Sequence, residues 1–203
     1  MKAPTIHISK GNSKTGAIPS FSLPSGLTCS EEACKTCYTH GCYAKKIERL
    51  RPIVRESYAE NLMYAKDYPE MLESYLNVFF SLPAAPRFFR LHISGDFFST
   101  EYFEMWMRII SSHPGTRFLA FTKQERVVKP YVNQLPKNFS LVWSAWPGVD
   151  LPDFVREGKI PVAWMQDGTE TRIPEDAVHC PGHCDQCAKC WALNGRDTVF
   201  KKH

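Results

Sequence analysis

The feature that most constrains this chain is the placement of its eight cysteines. Cys29, Cys34, Cys37 and Cys42 form one group, Cys180, Cys184, Cys187 and Cys190 form another, and no cysteine lies between Cys42 and Cys180. The spacings are C-x4-C-x2-C-x4-C and C-x3-C-x2-C-x2-C, so each group alone supplies the four thiolates that a tetrahedral zinc or an iron–sulfur cluster requires. Two metal centres are the simplest count. Disulfides are the first alternative, because small secreted domains are often stapled this way. Two observations weigh against them: the residues after Met1 are polar, with no apolar run of the kind that opens a secretory leader, and a chain of 203 residues buries enough apolar surface to hold a core unaided. Free structural thiols are the second alternative.

Composition describes a soluble globular domain, 43% hydrophobic and 23% charged, without an apolar run long enough to span a bilayer. Residues 1–203 are expected to form a single domain, with a first cysteine loop over 19–45, an α/β body over 50–170 and a cysteine-rich tail over 178–203. The expected location is the cytoplasm, away from membranes. The formal charge of +4 is small but uneven: Lys45, Lys46, Arg49, Arg51 and Arg55 lie close together with Glu48 as the one acid among them. Such a cluster can bind nucleic acid or a phosphate-bearing substrate. A solvated helix face explains it equally well.

Helical and strand signals alternate along the body. Pro52 suits a first helical turn, and Val54, Tyr58, Leu62 and Ala65 then mark one apolar face, so a helix is expected from about Pro52 to Lys66. Pro69 opens a second helix, with Leu72, Tyr75, Leu76 and Phe79 on one face and Pro83 as its stop. Phe88 to Ser94 alternates as a strand, Gly95-Asp96 makes a turn, and Ser99 or Thr100 caps a helix whose buried stripe is Phe103, Trp106, Met107 and Ile110. A strand at Arg117–Thr122, a helix beginning near Lys123 or Gln124, and strands at Phe139–Ser144 and Ile160–Met165 follow. A short extended piece, Pro19 to Leu23, precedes the first cysteines. The expected fold is α/β, a partial, open barrel of mostly parallel strands with helices outside, carrying two cysteine-rich metal-binding loops.

Ligands of such folds sit at the carboxyl ends of strands. The first cysteine group, Gly95-Asp96 and Asp167-Gly168 all occupy such ends. By alternation Phe89, Leu91 and Ile93 share one face of their strand, and Arg90, His92 and Ser94 the other. The polar face would line an interior to which Thr122, Ser144 and Gln166 also contribute. Arg90, His92 and Asp96 are the candidate catalytic residues. Ser94, Gly95, Asp96, Ser144 and Gln166 are the candidates for holding a cofactor. Each has a plainer reading: Asp96 as a turn or cap residue, His92 as a satisfied interior histidine. An inward guanidinium at Arg90 is harder to dismiss, since it needs an anionic partner. Trp143, Trp146 and Trp164 read as core before they read as a base-stacking platform.

Zinc sites often pair two C-x-x-C hooks, and Cys34-x2-Cys37 with Cys184-x2-Cys187 could do so. The successive steps Cys184, Cys187 and Cys190, with Cys180 four residues away, instead match the bacterial ferredoxin spacing in reverse and favour a [4Fe–4S] cluster. His40, His179 and His183 could replace a thiolate in either case.

Phe21-Ser22-Leu23-Pro24, Cys37-Tyr38, Cys42-Tyr43-Ala44, Leu91 to Ser99, and Cys180-Pro181-Gly182-His183-Cys184 with Cys187, Cys190 and Trp191 together resemble the phage "gene product 88" family. The resemblance runs from about Pro19 to Trp191 and implies a phage- or prophage-encoded protein. More distantly, the order of strand, cysteine loop, helices, strand and Ser94-Gly95-Asp96-Phe97 is similar to the radical S-adenosylmethionine enzymes. That similarity implies a cluster held by Cys29, Cys34 and Cys37 or by Cys34, Cys37 and Cys42, with S-adenosylmethionine as cofactor. It also implies that Gly95 and Asp96 replace the family's Gly-Gly-Glu-Pro element and that the tail cysteines hold an auxiliary cluster. The first loop departs from the family's C-x3-C-x2-C spacing by one residue, and Cys42 stands ready as a fourth ligand.

Overall fold

The alternating signals resolve into an open, parallel sheet with its long helices on one side. The computed structural model of the protein describes residues 5–201, without the side chains of residues 38–40. In chain order the elements are β1 (Ser20–Phe21), α1 (Glu31–His40), α2 (Tyr43–Leu50), α3 (Pro52–Asp67), α4 (Pro69–Ser81), β2 (Phe88–Leu91), α5 (Thr100–Ser112), β3 (Arg117–Thr122), α6 (Glu125–Val128), β4 (Phe139–Ala145), α7 (Asp153–Arg156), β5 (Val162–Gln166), β6 (Val178–His179), α8 (Cys184–Cys187) and β7 (Thr198–Lys201). The strand order is β1-β2-β3-β4-β5-β7-β6 and every pairing is parallel.

The sequential order of β1 to β5 decides where the helices go. Crossovers between parallel strands are right-handed, so strands added always on the same side stack their helices on one face. Leu62 and Ala65 of α3, Leu72, Leu76 and Phe80 of α4, and Tyr102, Phe103, Trp106, Ile109 and Ile110 of α5 accordingly pack in one cluster with Phe89, Leu91, Phe118, Ala120, Leu141, Trp143 and Trp164 of the sheet. The two tryptophans are therefore core. Ser99 caps α5 by accepting a hydrogen bond from the Tyr102 amide, which relieves one of the unpaired donors of the first turn.

The opposite face of the sheet is covered by loops and the tail. Ile18, Leu119, Val142, Ala163, Trp191 and Leu193 form its smaller apolar cluster, and the Trp191 indole donates to the Phe89 carbonyl at 3.1 Å. The rings of Phe121 on β3 and Phe200 on β7 come within 6.4 Å across the two strands between them.

Several boundaries differ from expectation. The strand expected over Phe88–Ser94 ends at Leu91, because His92 adopts φ +56° and leaves the extended backbone. The helix after β3 is a four-residue turn. The first cysteine group lies on and around the short α1, from Cys29 before it to Cys42 at the cap of α2, and β6 and β7 frame the second. The first and last strands of the sheet are not neighbours: β1 and β6 are its two edges. The chain's ends meet through a loop instead, where the Cys184 amide donates to the Lys14 carbonyl at 2.8 Å. Gly16 (φ +59°) backs so closely onto Asp185 that a Cβ there would lie 2.0 Å from its carboxylate.

Candidate metal centres

All eight cysteines are free thiols and half-buried. In the first group, Cys29 precedes α1, Cys34 and Cys37 lie one turn apart on it, and Cys42 caps α2. The Cys34 thiol points at the Gly26 carbonyl, 3.6 Å away. Cys29, Cys34 and Cys37 lie within electrostatic reach of one another, and Cys42 within reach of Cys37. Burial pushes the Cys29 thiol up to about 12, against a hydrogen bond from the Gly26 backbone, and burial raises Cys37 as well.

The second group lines a small cavity of about 20 Å³, in which Cys180, Cys184, Cys187 and Cys190 are joined by His179 and His183. The Cys180 amide donates to the Val199 carbonyl at 2.9 Å, and the Ser140 hydroxyl donates to the Cys190 carbonyl at 2.7 Å. Burial pushes the Cys190 thiol up to about 11 and raises Cys184 too. Among the described residues no three His, Cys, Asp or Glu side chains are already arranged to hold an ion. The thiols of each quartet lie within electrostatic reach of others in their own group. The side chain of His40 lies outside the described residues.

A cation faces each group, and at the second the charge of Lys14 also reaches Cys184. Arg90 lies flat over the Phe121 ring, 4.0 Å from its centre, and its Nε donates to the Leu91 carbonyl at 3.1 Å. Its charge lies within reach of Tyr43, Cys180, Cys184 and Cys190, and it has no ion-pair partner among the described residues. The geometry agrees: Arg90 pairs with Leu119, and Leu119 with Ser140, the residue that holds Cys190. Lys123 follows β3, donates from Nζ to Ser144 Oγ at 2.6 Å and lies 5.3 Å over the Trp146 ring. Its charge lies within reach of Cys37, Asp96, Cys29 and Cys42, while burial lowers its own proton affinity.

Asp96 sits below the first group as a structural knot. Its Oδ1 accepts from the Phe97 amide and the Thr122 hydroxyl, both at 2.8 Å, and its Oδ2 from the Lys123 amide at 2.8 Å. Burial pushes it up to about 6, against those three hydrogen bonds. The Asp96 amide donates to the Thr28 hydroxyl oxygen at 3.1 Å, and Gln124 Nε2 donates to the Thr28 carbonyl at 2.9 Å. The carboxyl ends of β2 and β3 and the approach to Cys29 are thereby tied together.

The other predicted residues separate. Ser144 shares the face of Arg90, Leu119 and Phe121, as the strand register requires, whereas Thr122 and Gln166 fall on the helix face. Gln166 serves its own loop, donating to the Glu170 carbonyl and accepting from the Gly168 amide. His92, swung out of the strand by its positive φ, lies 3.0 Å from the Tyr102 hydroxyl and edge-on to Phe97 rather than beside Arg90. Burial, reinforced by Arg90, lowers it to about 3, so it is neutral at ordinary pH. Ser94 donates to Glu48 Oε1 at 2.6 Å.

Glu48, Tyr43 and Lys123 were not among the expected site residues. Glu48 is buried and accepts from the Ser25 amide as well as from Ser94. It was visible only as the lone acid in a basic run. The Tyr43 hydroxyl donates to the Ile93 carbonyl at 2.5 Å. Lys123 had a positional signal, since it stands at the carboxyl end of a parallel strand. All five residues of the basic cluster are exposed, Lys45, Lys46 and Arg49 on α2, Arg51 between the helices and Arg55 on α3.

The cysteine groups, the Gly95-Asp96 turn and Trp191 all fall within one sequence family, whose model, described as Gene product 88, matches residues 4–193. The chain belongs to the gene product 88 family. Two of its relatives are the Gene 88 proteins of Mycobacterium phages L5 and D29. Each is 29% identical to this chain over 96% of its length and 91% of the relative's. The relatives of this gene product 88 protein are thus phage-encoded. No solved structure matches, and no helix among the described residues is long and apolar enough to cross a membrane.

Proposed function

We propose that the protein is a two-centre iron–sulfur protein of radical-enzyme type, acting on a phosphate-bearing substrate such as a nucleotide or nucleic acid. One observation carries this reading: each free-thiol quartet is faced by a cation that makes no salt bridge among the described residues, Lys123 at the first, whose charge is shared between the thiols and Asp96, and Arg90 at the second. A thiolate-bound metal centre is anionic, and an apolar surrounding makes an opposite charge worth far more than in water. The donor sets fit a thiophilic metal, four sulfurs apiece with histidines beside the second.

The first centre would be held by Cys29, Cys34 and Cys37, with Cys42 as the ligand that closes it or leaves one iron open. It would stand at the carboxyl ends of parallel strands, where an open α/β sheet presents its ligands. A [4Fe–4S] cluster held by Cys29, Cys34 and Cys37 would supply an electron for reductive cleavage of S-adenosylmethionine. Ser94, Gly95 and Asp96 shape that end of the sheet, and Arg90, Lys123 and Ser144 line the face opposite the long helices. The tail centre, held by Cys180, Cys184, Cys187 and Cys190, is closed and serves structure or electron relay. A cytoplasmic, reducing location suits both.

Anaerobic purification followed by metal and sulfide analysis tests the proposal. About eight iron and eight sulfide per chain are expected, with a spectrum that changes on adding S-adenosylmethionine. Stoichiometric zinc without iron would end it. The exposed Lys45, Lys46, Arg49, Arg51 and Arg55 favour a second reading, a nucleic-acid-binding module with structural zinc or closed iron–sulfur sites. That reading requires salt-dependent affinity for nucleic acid, and no binding at low salt removes it.

A further inference from the structure

The outer face of α4 carries an apolar stripe that the metal-centre reading does not use. Tyr68, Met71, Tyr75, Val78 and Leu82 are 50%, 56%, 44%, 62% and 51% exposed. They follow one another at steps of three and four residues along Pro69–Ser81 and its two flanking positions, so they share one side of the helix. Five of the ten exposed large apolar residues described for the chain are therefore gathered on a single short helix. Their side chains amount to on the order of 500 Å² of apolar surface, at the upper end of what a monomer exposes and most of the roughly 800 Å² that each partner contributes to a standard interface.

Charge narrows the partner. α4 contains no Lys, Arg or Asp; its two acids are Glu70 in the first turn and Glu73, which is paired with Arg108 at 2.7 Å. A nucleic acid or an anionic membrane surface needs cations that this face lacks. Symmetry narrows it further. The steps Met71, Tyr75, Val78, Leu82 are four, three, four and read the same in either direction. A second α4 laid antiparallel across a two-fold axis between Tyr75 and Val78 would set Met71 against Leu82 of the second copy and Tyr75 against its Val78. Ser74, exposed at the flank of the stripe, is small enough not to hold the helices apart. Beside the stripe, Tyr75 and Phe79 wall a groove of about 430 Å³ whose lining is mixed, with Ile6, Ile8 and Pro19 beside Lys10.

We propose that the protein is a homodimer, joined two-fold through antiparallel contact of α4 with α4 of a second copy. Self-complementary patches of this kind generate closed dimers. The interface lies on the helix face and is independent of the cysteine centres.

Sedimentation equilibrium of the full chain under reducing conditions, from 1 to about 100 μM, tests it. Twice the chain mass is expected, and a monomer throughout overturns the proposal. Val78→Glu, at a position too exposed to disturb folding, sets two like charges near the axis and should weaken the dimer at least a hundredfold with the circular dichroism spectrum unchanged. Ile53→Glu, on the 78% exposed Ile53 of α3, should leave the dimer intact. The register is tested separately. Met71→Lys and Leu82→Glu should each dissociate the dimer, and the double variant should restore it, because each lysine would then face a glutamate of the other copy. A dimer indifferent to these changes, or singles that dissociate without rescue in the double variant, overturns the α4 pairing.

Discussion

Thr122 donates its hydroxyl hydrogen to Oδ1 of Asp96 at 2.8 Å, joining the ends of two adjacent parallel strands beneath the first cysteine loop. The Phe97 and Lys123 amides complete the carboxylate's donors. Truncating one partner of a buried network leaves the others unsatisfied, at about 1–3 kcal/mol each. Asp96→Ala should therefore lower unfolding free energy by roughly 3 kcal/mol in urea titrations, and Thr122→Val by about 1 kcal/mol. A fully stable Asp96→Ala protein would show that the knot holds nothing together.

His92 makes acid stability measurable. An unfolded histidine titrates near 6.5, whereas burial lowers this one to about 3. Between those values the unfolded chain binds a proton that the folded chain does not. Its contribution is thus fully present above about pH 6.5 and falls by up to about 1.4 kcal/mol per unit as pH drops toward 3. His92→Asn suits the positive φ of +56° and removes the titration. Between pH 7 and 5 it should lose about 2 kcal/mol less stability than the parent chain. Parallel pH profiles for the two proteins would refute the assignment.

What could be seen in the residues was whatever local periodicity controls. The apolar faces of α3, α4 and α5 and the runs of β3, β4 and β5 carry their own pattern, and they lie close to where it places them. α1 and α2 were missed because cysteines and charges replace apolar repeats there. β6 and β7 were missed because two to four residues carry no period, and their place beside β5 is set by distant pairing. The polar face read from Arg90, His92 and Ser94 failed at one dihedral, the φ of His92, which alternation cannot reveal. Glu48 pairs with Ser94 across 46 positions, and no local signal reports such a contact. The cysteine groups were plain from spacing, but the cations opposite them emerged only from the strand register.

On the proposed two-centre reading, the cysteine quartets should load metal independently. Cys34→Ser is expected to halve the metal per chain and to spare the tail centre, and Cys184→Ser to do the reverse, each read by elemental analysis beside the visible spectrum. A single substitution that empties both sites would mean that the quartets share one metal.

Arg90 should tune the tail centre without ligating it. Removing a positive charge near an anionic cluster makes reduction harder, so Arg90→Gln should lower the midpoint potential and hasten metal loss to a chelator several-fold, whereas Arg90→Lys should preserve most of both. If the parent chain binds metal and Arg90→Gln behaves like it, Arg90 is no counter-cation and is free to meet an anionic substrate.

Gly95 stands at φ +79° in the turn between β2 and Asp96, a conformation that side chains strain to adopt. Space is the second constraint. A Cβ there would lie 2.6 Å from Thr28 Oγ1, 2.8 Å from the Leu23 Cβ and 2.8 Å from the Leu23 carbonyl oxygen. Thr28 holds the Asp96 amide, and the Leu23 amide bonds the Ser94 carbonyl, so neither can retreat without loosening the join between β1, β2 and the first cysteine loop. Gly95→Ala should cost about 2–4 kcal/mol in denaturant titrations, combining strain with displaced hydrogen bonds. Adding Thr28→Ala removes one clash but leaves the Leu23 contacts, so the double variant should recover no more than a minor part of the loss. A Gly95→Ala protein as stable as its parent would mean that the turn has room the backbone geometry denies.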